Sequence, residues 1–403
     1  MRALRWLPLV VLMAAAVAAG TAGQLGAEAA PATPGEPQTG RLQADRIRYD
    51  ARARVFMAEG HVRLTVGEVE IRAGRLRLDQ RAQVATAQGQ VVVQQPGARL
   101  AAEGIRYEIR SRTAEAEGHV VLVQGDMVLR AGRVRFALET RVTQASAGVT
   151  VTQKDLEVRA PVLTHDGRTD QVTAEGGVRL SQAGSILTGA RLAANLRTTR
   201  AEMSGGARLV RPGTPQAAAQ PPVDALAREE TTITAEQMRF RWDVPEAEAR
   251  GDVRVRQRDR AARAARGWYS EAQGRLLLEG DVVVEGLTGD LLLPEGERPA
   301  SEEARQVLAA PARLACQRLT LFLQSRDMEA EGEVKLTQGA RLATGDSARY
   351  THRDRRVTVS GNVYLQDEDG NSIRADQVII ALREETFEAL GNVRTEFKVR
   401  RTK

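Results

Sequence analysis

A 29-residue repeat constrains the fold more than any other feature of the sequence. Its motif is small-x-Gly-x-Val-x-aliphatic, in which x is any residue. The glycine recurs every 29 residues from Gly60 to Gly205, with Ala147 in one glycine's place, and resumes from Gly251 to Gly391. Periods of about 20 to 50 residues are typical of repeat folds. We expect an array of six copies over 41–210 and an array of five over 232–403.

A second landmark lies midway between the glycines and indicates strands. It is an alanine followed by an acidic residue or glycine and then by alternating residues, as in ADRIRY (44–49) and AGRLRL (73–78). An alternation of apolar and polar residues with period two predicts half-buried β-strands. Each repeat therefore contributes two strands. Their polar face carries arginines, such as Arg46, Arg48, Arg75 and Arg77.

The alternation changes parity at the landmark glycines. Apolar residues fall on odd numbers from Ile47 to Met57 and on even numbers at Val62 and Leu64. A shift of one residue turns a strand inside out unless a bulge absorbs it, and glycine tolerates the backbone angles of such a bend. The sequence predicts an all-β chain of bent antiparallel strands that form one elongated or two tandem β-jelly rolls, with a β-solenoid as the alternative.

The N-terminus has the features of an export signal. Residues 1–30 begin with Arg2 and Arg5, continue with an apolar run from Leu7 to Ala19 and end in small residues. The alternative is an uncleaved inner-membrane anchor over residues 1–22, although the run is short for a span of roughly 20 residues. Residues 31–40 are predicted to be a linker.

Two segments interrupt the repeat. Residues 211–231 are rich in Pro, Ala and Gln and lack alternation, so they are predicted to be a linker or an exposed loop. An insertion near 287–312 enlarges one glycine interval to 52 residues. It contains SEEARQVLAAPARLA (301–315), which is the best helical candidate in the chain and predicts a short inserted helix or loop.

Charge and cysteine content narrow the partners. The net charge is +6, and nearly all of the positively charged residues are arginines, whose planar fork suits phosphate and carboxylate groups. Because an exported chain is a poor candidate for nucleic-acid binding, we expect no nucleic-acid partner. The single cysteine, Cys316, cannot form an intramolecular disulfide and is expected to be a buried small apolar residue.

No catalytic motif, metal site or cofactor site is predicted. His61 and His119 share the position after the landmark glycine, but other copies place Gln, Gly, Asp, Glu or Asn there. These residues suit an exposed turn, so the histidines are not expected to form a metal pair or an acid/base pair. QDEDGN (366–371) predicts an Asp-Gly hairpin turn, since no glutamate stands at the twelfth position of a calcium loop.

The repeated motifs resemble one family. ADRIRYDARARVFMAEGHVRL (44–64) and GDSARYTHRDRRVTVSGNVYLQ (345–366), following an export signal, resemble the LptA/OstA-like family of periplasmic lipopolysaccharide-transport proteins. The chain is about twice the usual size of its single-jelly-roll members, and the two insertions are also unusual.

The resemblance implies a non-enzymatic protein that bridges or carries lipopolysaccharide or a related lipid from inner to outer membrane. It implies a periplasmic location, pairing of edge strands with other Lpt-type jelly rolls, and membrane association through those partners. The outward arginines could meet lipid phosphates or serve solubility. The apolar groove would be lined by Ile47, Tyr49, Val62, Leu64, Leu76, Leu78, Val91, Val93, Ile105, Tyr107, Val120 and Leu122. The alternative is a structural β-repeat protein of the envelope, with a dry core and protein partners only.

Overall fold

The structure is a computed structural model that describes residues 40–213, 229–241, 243–288 and 301–397. The predicted export signal lies outside the described residues, as do most of the predicted linkers and part of the insertion. Antiparallel strands account for nearly all of the described chain, so the predicted all-β class is confirmed. The described residues divide into two compact units, of which unit 1 comprises those within 40–183 and 188–201 and unit 2 those within 184–187 and 202–397.

Unit 1 is a meander in which the strands from β2 to β11 pair with their neighbours in the chain, while β1 pairs with β3. From β1 to β11 every pair is antiparallel, which excludes a parallel β-solenoid here. The strands are β1 Gly40–Gln43, β2 Arg46–Asp50, β3 Val55–Val66, β4 Val69–Asp79, β5 Val84–Gln95, β6 Ala98–Glu108, β7 Thr113–Gln124, β8 Met127–Ala137, β9 Val142–Gln153, β10 Leu156–Asp166 and β11 Gln171–Gln182. The next two strands, β12 Ser185–Asn195 and β13 Arg200–Arg211, lie where the chain passes from one unit to the other.

Unit 2 repeats the antiparallel meander from β14 to β24. The predicted helix is confirmed as α1, Glu302–Ala309, inserted between β17 and β18. The strands are β14 Thr231–Arg241, β15 Glu246–Gln257, β16 Arg260–Ser270, β17 Arg275–Leu287, β18 Ala312–Phe322, β19 Met328–Gln338, β20 Arg341–Thr351, β21 Arg356–Gln366, β22 Ser372–Ala381, β23 Thr386–Leu390 and β24 Arg394–Glu396.

Each 29-residue period contains two strands and two turns of different length. In the first full repeat, the 12-residue β3 and the 11-residue β4 are joined by the turn at Gly67 and Glu68, and residues 80–83 lead into β5. We call the strand ends at the first kind of turn rim A, and those at the second kind rim B. Successive rim B turns are hydrogen-bonded, as where Ile109 N donates to Gln83 O at 2.9 Å.

A bulge stands at the landmark glycines, and the parity change falls on the strand opposite each bulge. Gly60 and the residue after it, His61, both have left-handed backbone angles, with φ of 76° and 46°. The β3–β4 register shifts between Glu59 and Val62, where β3 has one residue more than β4. Ala58 and Val62 both point inward, so the parity change predicted at Gly60 is wrong for β3; the change falls on β4, between the buried Ala73 and Leu76. The predicted bend that keeps one face inward is confirmed.

The bulge also explains why the landmark residue is glycine. A Cβ added at Gly118, where φ is +77°, would stand 2.5 Å from Cδ of Glu103 on the preceding strand. L-residues other than Asn and Asp rarely adopt such a φ, and the neighbouring carboxylate leaves no room for a side chain. The landmark acidic residue and the landmark glycine are therefore partners across one bulge.

Each bulge divides a strand into arm A, which ends at rim A, and arm B, which ends at rim B. In unit 1, Val62 and Leu64 of arm A share one buried cluster with Ala58 and Leu76 of arm B. In unit 2, Val334 of arm A likewise shares a cluster with Leu278 and Leu319 of arm B. Because both arms contribute to the same clusters, they face each other across an apolar interior.

The predicted Asp-Gly hairpin turn at 366–371 is confirmed. It joins β21 to β22, and Asp367 N donates to Asn371 O at 3.0 Å. Asn371 N donates to the Asp367 carboxylate at 2.8 Å, and Gly370 takes a φ of +83°. Hydrogen bonds from Asn371 lower the pKa of Asp367. The acidic residues of this segment therefore serve the turn.

Candidate functional site

A row of aliphatic side chains runs across the strands on the inner side of arm A in unit 1. Its members are direct register partners, each opposite the next. All are buried, and Val93 and Leu129 have no exposed surface. We call this row the unit 1 ladder, and it consists of Leu64, Ile71, Val93, Leu100, Leu122 and Leu129.

Ten of the twelve predicted groove residues lie in the interior of unit 1. Their side chains are buried and point inward, as predicted. Their contact with lipid stays a prediction. The other two, Ile47 and Tyr49, are 50% and 53% exposed. Both are on β2, which pairs with β3 alone among the described strands, so no neighbour covers them on the other side.

The equivalent row in unit 2 is open. Here the partners across the strands are half-buried, and Leu336 is 38% exposed. We call this row the unit 2 ladder, and it consists of Val255, Ala262, Val284, Leu314, Leu336, Ala343, Leu365 and Ile373. Apolar side chains in register that keep water contact form a candidate binding groove.

Small residues explain part of this opening. On the inner side of β16, unit 2 has Ala262, Ala264 and Gly267, where β4 of unit 1 has Ile71, Ala73 and Leu76. Alanine and glycine fill less of the space between the arms than isoleucine and leucine do. Gly267 has Leu278 and Val253 as its nearest neighbours, with 3.4 Å and 3.6 Å between their methyl carbons and an added Cβ.

The predicted groove list did not include the unit 2 ladder, although the motif contains its signal. Val255, Val284, Leu336 and Leu365 each stand four residues after a landmark glycine, as Leu64 does after Gly60. The motif therefore identifies the inward row in both units. It does not distinguish a filled interior from an open one, because that depends on the side chains of the facing arm.

The outward arginines are paired with acidic residues. Arg75 Nε lies 2.9 Å from Glu59 on the neighbouring strand, and an Arg77 nitrogen lies 3.3 Å from Asp79. In unit 2, Glu248 pairs with Arg250 at 2.8 Å and with Arg266 at 2.6 Å. Burial opposes ionisation of Glu248, but the hydrogen bonds from these two arginines hold its pKa below the usual range. These arginines stand on the outer face, away from the apolar interior.

The two histidines of the repeat are exposed and bonded within their bulges. His61 Nδ1 lies 2.8 Å from Asp45 Oδ2, and His119 Nδ1 lies 2.6 Å from Glu103 Oε1. Asn362 makes the equivalent bond, with its Nδ2 donating to Asp346 at 3.0 Å. The predicted exposed, turn-compatible position is confirmed. Within the described residues, no group of three or more His, Cys, Asp or Glu could hold a metal ion.

A depression on the outer face of unit 1 is separate from the ladder. It has a volume of about 560 Å³ and is lined by Gln88, Glu103, Glu117, Arg133, Ser146 and neighbouring glycines. Its charged groups are already engaged, since Glu103 bonds with His119 and Arg133 lies 3.8 Å from Glu117. This polar surface does not offer the apolar lining of the unit 2 ladder.

His165 and Cys316 are ionisable groups that lie in the interiors of the two units. His165 of unit 1 is 1% exposed, and burial lowers its pKa although Asp170 and Asp166 act in the opposite direction. Cys316 of unit 2 is buried as predicted, and burial raises the pKa of its thiol to about 11. The thiol is therefore protonated and shielded at neutral pH.

Bent antiparallel strands that enclose an apolar interior define a protein of the β-jelly-roll class. Residues 101–200 match the family model described as LptA/(LptD N-terminal domain) LPS transport protein. Residues 247–368 match the model described as lipopolysaccharide-assembly, LptC-related. Both models describe lipopolysaccharide-transport proteins, and the two matches support the resemblance to the LptA/OstA-like family.

Solved structures also match the chain. One is the crystal structure of LptH, described as the LptA homologous periplasmic component of the conserved lipopolysaccharide transport device from Pseudomonas aeruginosa. It is 17% identical, the match covers 27% of this chain and 83% of that one, and the TM-score is 0.25. No curated protein matches. Among the helices of the described residues, none is long and apolar enough to span a membrane.

Proposed function

We propose that this protein is a non-enzymatic periplasmic carrier that binds the acyl chains of lipopolysaccharide along the unit 2 ladder. The observation that carries the proposal is the row of apolar side chains from Val255 to Ile373, which stay in contact with water on the inner side of a β-jelly roll. Covering such a row with lipid is favourable by about 0.8 kcal/mol for each methylene that is buried.

The ends of the ladder strands suit an amphipathic cargo. On the inner side of arm A, Arg341 lies opposite Gln338, and Arg260 lies opposite Gln257. Each of these residues stands two positions closer to rim A than the ladder residue of its strand. Arg341 is paired with Glu368 at 3.5 Å. Guanidinium groups bind phosphates through two parallel hydrogen bonds, so rim A would hold the phosphorylated head group while the ladder holds the acyl chains.

The exposed residues at both ends of the described chain support a bridging role. Ile47 and Tyr49 on β2, and Phe387 on β23, belong to inward rows of terminal strands and remain largely uncovered. A jelly roll of another Lpt-type protein could add its edge strand there and cover these side chains. Such pairing would place the protein in a path from inner to outer membrane, whether its N-terminus is cleaved or retained as an anchor.

The closed interior of unit 1 supports a second candidate for that unit. Its ladder is filled by its own side chains, as expected of a structural β-repeat module with a dry core and protein partners only. An acyl chain would enter unit 1 only if its two arms separated. The two candidates therefore differ in where lipid is found.

Site-specific photocrosslinking in cells that make lipopolysaccharide tests the proposal. A photoreactive residue at Leu314 or Leu336 should capture lipopolysaccharide, because both side chains point into the open interior. The matched control is Lys335, which precedes Leu336 on the same strand and is exposed on the outer face. Capture at Lys335 alone, or at none of the three positions, would overturn the proposal.

Positions in unit 1 complete the experiment. Leu64 and Val120 are buried there, and Arg63 is the outward control. Capture at Leu64 and Val120 as well would mean that lipid also enters unit 1. Capture at Leu336 but not at Leu64 would assign lipid binding to unit 2 and the structural role to unit 1. Mass spectrometry of lipids that co-purify with the native protein identifies the cargo.

A further inference from the structure

We propose that helix α1 is a clasp that joins the two rims of unit 2 and closes the side of its interior to lipid. The inference deepens the proposed function, on which its consequence for lipid rests. The geometry rests on the hydrogen bonds at the two ends of the helix, which come from opposite rims of the unit.

The N-terminus of α1 is capped from rim B. Ser301 is the N-cap, and its hydroxyl accepts a hydrogen bond from Ala304 N at 3.1 Å. In a capping box, a Glu or Gln three residues after the cap would bind the cap's own N–H, but here that residue is Ala304. Glu385, 84 residues further along the chain, takes this role and accepts from Ser301 N at 3.0 Å. Glu385 is the last residue of the turn between β22 and β23, on rim B.

The C-terminus of α1 is capped from rim A. The last carbonyls of a helix have no partner within the helix. Gln338 Nε2 donates to Val307 O at 2.7 Å and to Ala310 O at 2.8 Å. Gln338 is the last residue of β19, and it stands on the inner side of arm A, two residues beyond Leu336 of the unit 2 ladder. The helix therefore ends on the side of the sheet that the ladder faces.

These bonds make α1 dependent on both rims. Isolated helices shorter than about 12 residues are marginal in water, and α1 has eight residues. Its length of about 12 Å, at ~1.5 Å per residue, is short for a path between two rims, so the arms must approach each other where it lies. Ala304, Val307 and Leu308 are half-buried, as expected if one face of the helix turns toward the unit.

The clasp fixes how the open groove of unit 2 is reached. With α1 in place, the arms near β19 and β22 cannot separate, and an acyl chain would enter along the strand-to-strand direction of the ladder. With α1 released, the same interior would open at its side. Unit 1 has no equivalent inserted helix among its described residues, and there the arms are held by side-chain packing alone.

Cys316 provides a reporter that needs no lipid. It is the sole cysteine, it points into the interior of unit 2, and both burial and a pKa of about 11 make it slow to react. The rate at which N-ethylmaleimide labels Cys316 in the full chain should therefore report opening of the interior. We expect the double variant Glu385→Asn with Gln338→Ala to raise this rate at least tenfold at neutral pH.

The substitutions and their control are matched. Asparagine tolerates the left-handed backbone of position 385, where φ is 52°, but its shorter side chain does not reach Ser301. The control is Glu384→Asn with Gln366→Ala, which changes the neighbouring turn residue and a neighbouring rim A glutamine outside the α1 bonds. Circular dichroism and the unfolding midpoint establish that both variants are folded. Equal labelling rates in the folded clasp variant and the control would overturn the clasp.

A locked variant separates the clasp from the lipid proposal. In a Cys316→Ser background, Ser301→Cys with Glu385→Cys, joined by a short reducible bis-thiosulfonate crosslinker, should hold α1 in place. Because release of α1 would open the interior at its side, locking should lower photocapture of lipopolysaccharide at Leu336 by about fivefold or more, with recovery on reduction. If locking leaves capture unchanged, α1 does not control how lipid enters unit 2. Loss of all lipid capture with a positive Cys316 result contradicts the proposed function and leaves the clasp supported.

Discussion

The two units use the same bulged hairpin to build interiors of opposite character. In both, the aliphatic residue four positions after a landmark glycine joins a ladder on the inner side of arm A. Val93 of the unit 1 ladder has no exposed surface, whereas Leu336 of the unit 2 ladder is 38% exposed. The backbone plan is therefore common, and the difference lies in the side chains and in the insertion that carries α1.

This comparison separates what a repeat specifies from what it leaves open. The glycine bulge and the parity change of the strand opposite it together keep one face inward through the bend. The volume between the arms depends on residues that the motif does not fix, such as Ala262 and Gly267 of β16. A repeat protein can thus keep one unit closed for stability and another open for a ligand without changing its backbone.

The largest expected effect comes from placing a charge in each ladder. Val93→Asp should lower the free energy of unfolding of unit 1 by on the order of 4 kcal/mol, because the carboxylate would lie in an apolar interior with no partner. Leu336→Asp should cost about 1 kcal/mol, because water already reaches that position. Denaturant unfolding, followed by hydrogen exchange in each unit, measures both changes. Equal losses would mean that the two interiors do not differ.

Changes at the bulges should show no such difference. Gly118→Ala in unit 1 and Gly251→Ala in unit 2 should each cost about 2 kcal/mol, since both glycines have a φ of +77° and an added Cβ would meet a carboxylate side chain. Gly125→Ala is the matched control, since its φ is also positive, at +57°, but nothing lies within 4 Å of the added Cβ. If only one of the two bulge variants were destabilised, the units would not share one backbone plan.

A pH dependence near neutral pH is expected from His165 in the closed interior of unit 1. Because burial lowers the pKa of His165 in the folded state, the unfolded chain takes up the proton first as the pH falls through about 6.5. The stability of unit 1 should therefore decrease below that pH, with a slope of at most about 1.4 kcal/mol per pH unit for one proton. His165→Leu should remove this part of the slope in unfolding experiments from pH 8 to pH 5. A slope that is unchanged in the variant would assign it to other groups.

The fold was largely predictable from the sequence, and the candidate site was only partly so. Period two and the parity shift at Gly74 are local properties of the chain, and they predict strands, bends and inward faces; the shift expected at Gly60 is wrong, because Ala58 and not Met57 points inward on β3. Burial depends on partners from the other arm, so Leu64 and Leu336 have the same motif position and opposite exposure. The capping of α1 by Glu385 joins residues 84 positions apart, and no local pattern contains that information.

The smallest expected effect is an exchange between the units at the position after the landmark glycine. His61→Asn places in unit 1 the residue that unit 2 has at Asn362, where the side chain bonds with Asp346 at 3.0 Å, as His61 does with Asp45 at 2.8 Å. Asparagine tolerates the left-handed backbone there, so stability should change by less than about 0.5 kcal/mol. His61→Val should cost more, because a β-branched residue is strained at a φ of 46° and has no group to bond with Asp45. Thermal unfolding of the two variants side by side measures this difference. A large loss with asparagine would mean that the imidazole of His61 does more than hold its bulge.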